Sequence, residues 1–108
     1  MIQSARSVAP PGKAKLLSRL GAALGHPGRV QILAKLLEGP ATYATLVRIT
    51  RMKAGPLYHH VNQLRLAGLI RPKQRDLYLL TRGGRNVLLL GFAMCQLGGD
   101  RRMRPEFS

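Results

Sequence analysis

The stretch Ala54–Ile70 constrains the fold of this chain more than any other, and its sequence is AGPLYHHVNQLRLAGLI. Its larger apolar residues, Leu57, Val61 and Leu64, recur at helical spacing and predict one buried helix face. The opposite face carries polar, cationic and aromatic side chains. The Ala-Gly pair near the end predicts the helix terminus, and the apolar pair after it predicts the start of a strand. A helix of this kind, about residues 54–67, is typical of the recognition helix of a helix-turn-helix protein.

The balance of charge indicates a polyanionic partner. The chain has 18 lysines and arginines against 4 acidic residues, a net charge of +14, and 13 of the cations are arginine. Residues 13–97 alone hold 14 basic and 2 acidic side chains, so the excess is not confined to the termini. Such an excess favours DNA, RNA or an anionic membrane surface as the partner. Arginine pairs bidentately with phosphate and guanine, which favours nucleic acid among these three.

Three further properties indicate the cellular compartment. No apolar run approaches the ~18 residues that a membrane-spanning helix needs, since the longest ends at Gly91. The first residues lack the apolar segment of a signal peptide. Cys95 is the single cysteine, which excludes an internal disulfide framework and fits a reducing compartment. We therefore expect a cytoplasmic protein without membrane contact.

The order of apolar patterns predicts a mainly α protein with one small β-hairpin. Residues 1–12 are expected to be a disordered arm, residues 13–97 a single folded domain, and residues 98–108 a flexible basic tail. The domain is expected to hold five helices and two strands, at residues 13–24, 27–37, 43–49, 54–67 and 82–97 and at residues 69–71 and 77–80. A cationic tip over residues 72–76 joins the two strands. This order predicts a winged helix-turn-helix with flanking helices.

The first and last helices carry more apolar surface than one small domain buries. The last helix is apolar nearly all round between Val87 and Met94, which is typical of a helix buried by more than its own chain. We therefore expect a homodimer in which these two helices form the interface. The expected interface residues are Leu16, Leu17, Leu20, Val87, Leu88, Leu90, Phe92 and Met94.

Three passages of the chain, in the same order, resemble one protein family. They are ALGHPGRVQIL at Ala23–Leu33, the passage Glu38–Ile70 with its tandem histidines, and LYLLTRGGR at Leu77–Arg85. Over roughly residues 20–90 the chain resembles the ArsR-like winged-helix transcriptional regulators, whose architecture the MarR and PadR regulators share. The resemblance implies a dimeric regulator that binds double-stranded DNA. Its two recognition helices would enter successive major grooves about 34 Å apart.

The family's metal sites have no counterpart in this sequence. Metal-sensing members carry a cysteine pair at the start of the third helix, where this chain has Thr42 and Ala44. His59 and His60 are adjacent, so on a helix their side chains point about 100° apart. No cysteine or carboxylate lies near them in sequence to complete a tetrahedral site. We therefore predict no metal and no other cofactor, and the sequence names no small-molecule effector.

The DNA-binding residues are expected on the recognition helix, just before it and on the wing. The N-terminal part of a recognition helix meets base edges, while flanking cations hold phosphates. The position that the family usually caps with serine is Lys53, so the first helical turn offers little side-chain reach. Base recognition is then expected from Tyr58, His59 and Asn62. The candidate DNA-binding residues are Arg48, Arg51, Lys53, Ala54, Gly55, Tyr58, His59, Asn62, Arg65, Arg71, Lys73 and Arg75.

The other chemistry-bearing residues have structural interpretations. His26 is expected at a helix start, and His60 as a half-buried, hydrogen-bonded residue. Tyr43 and Tyr78 are expected to pack. Cys95 is expected to be buried and inert, with redox sensing as the alternative. The four acidic residues are scattered and form no catalytic constellation with serine, histidine or cysteine, so we predict that the chain is not an enzyme.

Two other functions stay open. A winged helix also serves as a protein-interaction or architectural module, in which case the charge gives only non-specific nucleic-acid affinity. The bare turn at Ala54 and Gly55 favours this module. Single-stranded RNA binding would require surface aromatics on which bases stack. The chain has 3 tyrosines, 2 phenylalanines and no tryptophan, several of them expected in the core, which argues against RNA.

Overall fold

The computed structural model describes residues 11–99, in which five α-helices surround a small antiparallel sheet. The elements in chain order are α1 (Pro11–Leu24), α2 (Pro27–Leu37), β1 (Ala41–Thr42), α3 (Tyr43–Thr50), α4 (Ala54–Leu66), β2 (Ile70–Gln74), β3 (Leu77–Leu80) and α5 (Arg82–Met94). A π-helical turn, Cys95–Gly99, extends α5. Helices α3 and α4 are the helix-turn-helix and strands β2 and β3 are the wing, which confirms the predicted fold. No helix of the described part is long and apolar enough to cross a membrane.

One apolar core joins all five helices to the sheet. Helix α2 contacts α3, α4, α5 and β3, and its Ile32 and Leu33 are fully buried. Helix α4 turns Leu57, Val61 and Leu64 into this core, as the periodicity of the sequence predicted. The core residues are Ala23, Ile32, Leu33, Leu36, Ala41, Leu46, Leu57, Val61, Leu64, Leu69, Ile70 and Leu88. Because α4 is anchored along its whole length, its opposite face has a fixed direction.

Side-chain caps define the starts of three helices. His26 Nδ1 accepts from the Gly28 N–H at 2.9 Å before α2, which confirms the predicted place of this histidine. Thr42 accepts from the Thr45 N–H at 3.1 Å before α3. Thr81 accepts from the Gly84 N–H at 2.9 Å before α5. Each such cap satisfies a backbone donor that has no helical partner and is worth about 1 kcal/mol.

The end of α4 is fixed against the start of α5. Gly68 has a φ of +77°, which glycine adopts without steric cost, and the Leu69 N–H donates to the Leu64 carbonyl at 3.0 Å. Thr81 Oγ1 donates to the Gly68 carbonyl at 2.7 Å. At Gly84 a Cβ atom would overlap the Leu69 carbonyl oxygen, so only glycine allows this approach. The wing therefore starts from a rigid junction between the end of α4 and the start of α5.

The sheet has three strands in the order β1-β3-β2, whereas the sequence predicted a two-stranded hairpin. The predicted tip over 72–76 is also too long, because residues 72–74 belong to β2 and only Arg75 and Asp76 form the turn. Pro72 is tolerated because β2 is an edge strand, where one face of the backbone needs no partner. Lys73 is an extra residue between the Pro72 and Gln74 pairs, which makes a β-bulge.

The bounds of the terminal helices also differ from the prediction. Helix α1 begins at Pro11, two residues inside the predicted arm, because proline fits the first helical turn, where N–H groups lack partners. The α-helix at the C-terminal side ends at Met94 rather than at residue 97, and the π-helical turn runs on to Gly99. The rest of the predicted arm and tail, residues 1–10 and 100–108, lies outside the described residues.

Two residues of the last helical segment have a different burial from the one predicted. Leu88 was predicted in the dimer interface, but its side chain is 2% exposed and belongs to the core of the single chain. The reason is that α5 packs against α2 along the stripe that contains Leu88. Cys95 was predicted to be buried, but its side chain is exposed in the single chain. Val87 is half-buried and packs against the core as well.

Candidate nucleic-acid interface

The turn between α3 and α4 sets the direction of the recognition helix. Arg51 adopts the left-handed conformation, with a φ of 58°, and its N–H donates to the Val47 carbonyl at 2.8 Å. Thr50 Oγ1 accepts from the Met52 N–H at 3.3 Å. The backbone groups of the turn are thus bonded locally, and the Arg51 side chain is exposed to solvent.

The outward side of α4 carries the polar residues that were predicted to meet DNA; we call Tyr58, His59, Asn62 and Arg65 the outer face. Tyr58 is 64% exposed, and His59 and Arg65 are exposed as well. Asn62 is half-buried, and its Oδ1 accepts from Arg65 Nη2 at 2.8 Å. This bond orients the Asn62 amide and leaves its NH₂ group as a donor toward a ligand.

The first turn of α4 is bare, as the sequence predicted. Lys53 occupies the N-cap position and makes no side-chain cap bond. The next two residues, Ala54 and Gly55, are exposed. They allow a close backbone approach to DNA or an apolar contact with a thymine methyl group.

The wing supplies three exposed cations on one short hairpin. Arg75 lies in the turn, Lys73 lies at the bulge, and Arg71 pairs with Leu79 near the base of β2. At ~3.3 Å per residue, Arg71 lies roughly 13 Å from Arg75 along the strand. The wing therefore spreads its charge along its length instead of concentrating it at the tip.

A cleft of about 470 Å³ separates the first turn of α4 from the wing. Its lining includes all three tyrosines of the chain, and its residues are Tyr43, Ala54, Gly55, Tyr58, Asp76 and Tyr78. Tyr43 and Tyr78 pack against the core, as predicted. The Tyr43 hydroxyl also donates to the Ala54 carbonyl at 2.6 Å. Sequence spacing gave no sign of this bond, because it joins residues eleven apart and depends on the angle between α3 and α4.

The cations of this surface have no carboxylate partner within residues 11–99. The ion pair of the described part joins Lys35 to Glu38 at 3.1 Å, on α2 and the residue after it. Asp76, one of the two acidic residues within 11–99, lines the cleft beside the first turn of α4. The surface formed by α3, α4 and the wing is therefore strongly positive and suited to a polyanion.

The tandem histidines of α4 lie in different environments, one exposed to solvent and the other partly buried. His59 is exposed, whereas His60 is half-buried and its Nδ1 accepts from Arg29 Nε at 2.8 Å. Arg29 also donates to the Ala22 carbonyl at 2.9 Å, and the His26 ring lies 4.3 Å from the His60 ring. Burial lowers the pKa of His60, and the neighbouring His26, Arg29 and His59 lower it further. The predicted half-buried, hydrogen-bonded role of His60 is confirmed, and no three metal-binding side chains converge within residues 11–99.

Known proteins share this domain and this fold. Residues 26–71, from the start of α2 to the start of the wing, match the family described as bacterial regulatory protein, arsR family. No curated protein matches the chain. Among solved structures, the transcriptional repressor BigR from Xylella fastidiosa is 21% identical with a TM-score of 0.66, over 80% of this chain and 89% of BigR.

Two further solved structures have the same fold. NolR from Sinorhizobium fredii is 20% identical with a TM-score of 0.69, over 84% of this chain and 95% of NolR. The homodimeric winged helix-turn-helix DNA-binding domain of a possible ArsR-family regulator from Mycobacterium bovis is 24% identical with a TM-score of 0.66, over 89% of this chain and 92% of that domain. Residues 26–71 of this chain are therefore similar to the arsR family of bacterial regulatory proteins, and its described part has the winged helix-turn-helix fold.

Proposed function

We propose that this chain is a homodimeric, cytoplasmic transcriptional regulator that binds double-stranded DNA with α4 in the major groove and the wing along the backbone. The observation that carries the proposal is the surface of the winged helix-turn-helix domain. On it, three of the four outer-face side chains of α4, Tyr58, His59 and Arg65, are exposed beside cations of α3, the turn and the wing that have no carboxylate partner in the described part. Nothing in this arrangement requires a catalytic group or a metal.

The surface suggests a division between affinity and sequence recognition. Exposed arginines and lysines around α4 hold phosphates, which gives affinity for any duplex; they are Arg48, Arg51, Lys53, Arg65, Arg71, Lys73 and Arg75. Tyr58, His59 and Asn62 recognise base edges. Because Ala54 and Gly55 offer no polar side chain, discrimination between sequences is modest.

The terminal helices supply the dimer interface; we call the exposed apolar side chains of α1 and of α5 with its extension the terminal-helix face. Leu17, Leu90 and Met94 are 70%, 64% and 55% exposed in the single chain, and Leu16 and Phe92 are exposed as well. Exposed apolar area of this extent is typical of an interface. The Mycobacterium bovis domain with this fold is homodimeric. The proposed interface omits Leu88, which is buried, and includes Leu89 and Leu97, which are exposed.

Selection from random duplex DNA tests the proposed function. The purified full chain should enrich a two-fold symmetric motif whose half-sites are about one helical turn, ~34 Å, apart. His59→Ala and Asn62→Ala should each change the enriched motif. If no motif is enriched, the chain is a winged-helix interaction or architectural module with non-specific nucleic-acid affinity, and the regulator proposal is wrong.

A further inference from the structure

The recognition helix begins without a cap of its own. Helices α2, α3 and α5 each begin at a residue whose side chain accepts a backbone N–H, whereas Lys53 before α4 makes no such bond. The Leu57 N–H donates to the Lys53 carbonyl at 3.0 Å, and the turn between them contains Gly55. Uncapped helix ends fray, and glycine adds conformational freedom. The part of α4 that enters DNA first therefore needs support from outside the helix.

Tyr43, the first residue of α3, provides that support through two hydrogen bonds. Its hydroxyl donates to the Ala54 carbonyl in the first turn of α4 at 2.6 Å. Its backbone N–H donates to the Asp76 carbonyl in the turn of the wing at 2.9 Å. Its ring packs against the core between these two attachments. One residue thus ties both DNA-facing elements to the same point of the core.

We propose that Tyr43 is a positioning residue for DNA recognition, because it holds the first turn of α4 at a fixed place relative to the wing. This inference rests on the proposed function. Contacts with base edges depend on tenths of an ångström, and a turn that is ordered before binding loses less conformational entropy in the complex. Non-specific binding through long, flexible cations has no such requirement. Tyr43 therefore raises discrimination between sequences without touching DNA.

The Tyr43 phenol keeps its proton under all conditions in which the protein would act. Burial raises its pKa above the usual value, and the neighbouring phenols of Tyr78 and Tyr58 raise it further. The hydroxyl is thus a permanent donor to the Ala54 carbonyl.

Amide hydrogen exchange of the free full chain tests the positioning directly. Tyr43→Phe removes the hydroxyl and keeps the packed ring, and the matched control Tyr78→Phe removes a hydroxyl from the same cleft without removing the bond to Ala54. In Tyr43→Phe the Leu57 amide should exchange about three- to tenfold faster than in the wild type, since one hydrogen bond is lost. In Tyr78→Phe it should exchange at the wild-type rate. An unchanged rate in Tyr43→Phe, or an equal increase in both variants, would overturn the positioning role.

Binding titrations test the consequence for recognition. With the duplex enriched by the wild type, Tyr43→Phe should bind about three- to tenfold more weakly, while its affinity for a scrambled duplex and its salt dependence stay unchanged. Tyr78→Phe should match the wild type on both duplexes. Equal weakening on both duplexes would mean that Tyr43 only stabilises the fold, which overturns the proposal. If the wild type binds both duplexes equally, the proposed function is wrong, and so is the role of Tyr43 in discriminating between DNA sequences. The hydrogen-exchange result is independent of this outcome and shows separately whether Tyr43 supports the first turn of α4.

Discussion

His60 links three parts of the chain through one side chain. It accepts from Arg29, which in turn donates to the Ala22 carbonyl at the end of α1, and it lies against the His26 ring. As an acceptor at Nδ1, the imidazole must be neutral. Protonation would place a second positive charge against Arg29 and remove the acceptor of its hydrogen bond. The hydrogen bond between α2 and the recognition helix thus depends on the charge of this one residue.

This dependence predicts a loss of stability in acid. The pKa of His60 is lowered in the folded chain, so the unfolded chain, with a histidine pKa of about 6.5, binds the proton more readily. The contribution of His60 to stability is full above about pH 6.5 and is lost as the pH falls below it. We expect urea unfolding to show a lower free energy of unfolding at pH 5 than at pH 7.5.

Variants of the two adjacent histidines isolate this effect. His60→Gln keeps an acceptor for Arg29 and removes the titrating group, so the difference between the two pH values should shrink. His59→Gln, at the exposed neighbouring position, removes only the smallest of the causes that lower the pKa of His60 and should keep most of the wild-type difference. If His60→Gln has the same pH dependence as the wild type, another group is responsible.

Arg75 in the turn of the wing is expected to contact a DNA phosphate. Arg75→Ala should weaken binding to every duplex, and the slope of log K against log salt should become shallower by about 0.9 per lost phosphate contact. Arg85→Ala is the matched control, because Arg85 is exposed on α5 and lines a cavity with Leu36, Leu37 and Leu89, outside the candidate interface. Fluorescence titrations over a range of salt concentrations measure both slopes. An unchanged slope in Arg75→Ala would remove the wing from the DNA-binding surface.

At the scale of elements, the junction of α4, β2 and α5 holds the wing in place. Thr81 Oγ1 donates to the Gly68 carbonyl, and the Thr81 N–H donates to the Leu69 carbonyl at 3.0 Å. The close approach of Gly84 to that same carbonyl brings the start of α5 against the end of α4. The direction of the wing relative to the recognition helix is therefore fixed at its base by the two hydrogen bonds of Thr81 and the close approach of Gly84.

A methyl group at this junction should be strongly destabilising. In Gly84→Ala the new Cβ would overlap the rigid Leu69 carbonyl, and overpacking of this kind costs about 1–3 kcal/mol of the free energy of unfolding. Gly21→Ala is the control, because a Cβ in that part of α1 meets no atom within 4 Å and should add up to about 1 kcal/mol through helix propensity. Thermal and urea unfolding compare the two variants. If Gly84→Ala is as stable as the wild type, the Leu69 backbone moves to accommodate the methyl group and the junction is not rigid.

At the scale of the whole molecule, residues 11–99 leave a large apolar surface outside their core. The terminal-helix face and an apolar cavity of about 250 Å³ lie side by side, since Phe92, Met94 and Cys95 line that cavity together with Leu24, Val30, Leu88 and Gly91. In the proposed dimer this region is covered by the partner, which would also bury Cys95. Exposure of that thiol in the single chain therefore does not conflict with an inert role in the assembly.

A charge on this surface should give a folded monomer. Leu90→Glu or Phe92→Glu should shift sedimentation equilibrium from dimer to monomer with little change in circular dichroism. Leu66→Glu is the control, because Leu66 is 62% exposed at the end of α4 and lies outside the terminal-helix face. Leu88→Glu should unfold the chain instead, because it would bury a carboxylate in the core. A dimer that survives both substitutions, Leu90→Glu and Phe92→Glu, would contradict the proposed interface.

The sequence by itself determined the order of the helices, the buried face of the recognition helix and the starts of α2, α3 and α5. These features depend on short-range physics: apolar spacing along a helix, threonine caps, proline at the first helical position and glycine at a helix end. The same local rules explain why the polar outer face of α4 was predictable from Tyr58, His59, Asn62 and Arg65.

Only the tertiary structure decided how these elements meet. It placed Leu88 in the core and Leu89 and Leu97 at the surface, added β1 to the wing, and brought Tyr43 to Ala54 and Arg29 to His60. Burial and hydrogen bonds between residues far apart in sequence depend on the angles at which helices pack, and no local pattern encodes those angles. The recognition helix was predictable from its own residues, whereas what holds its first turn in place was not.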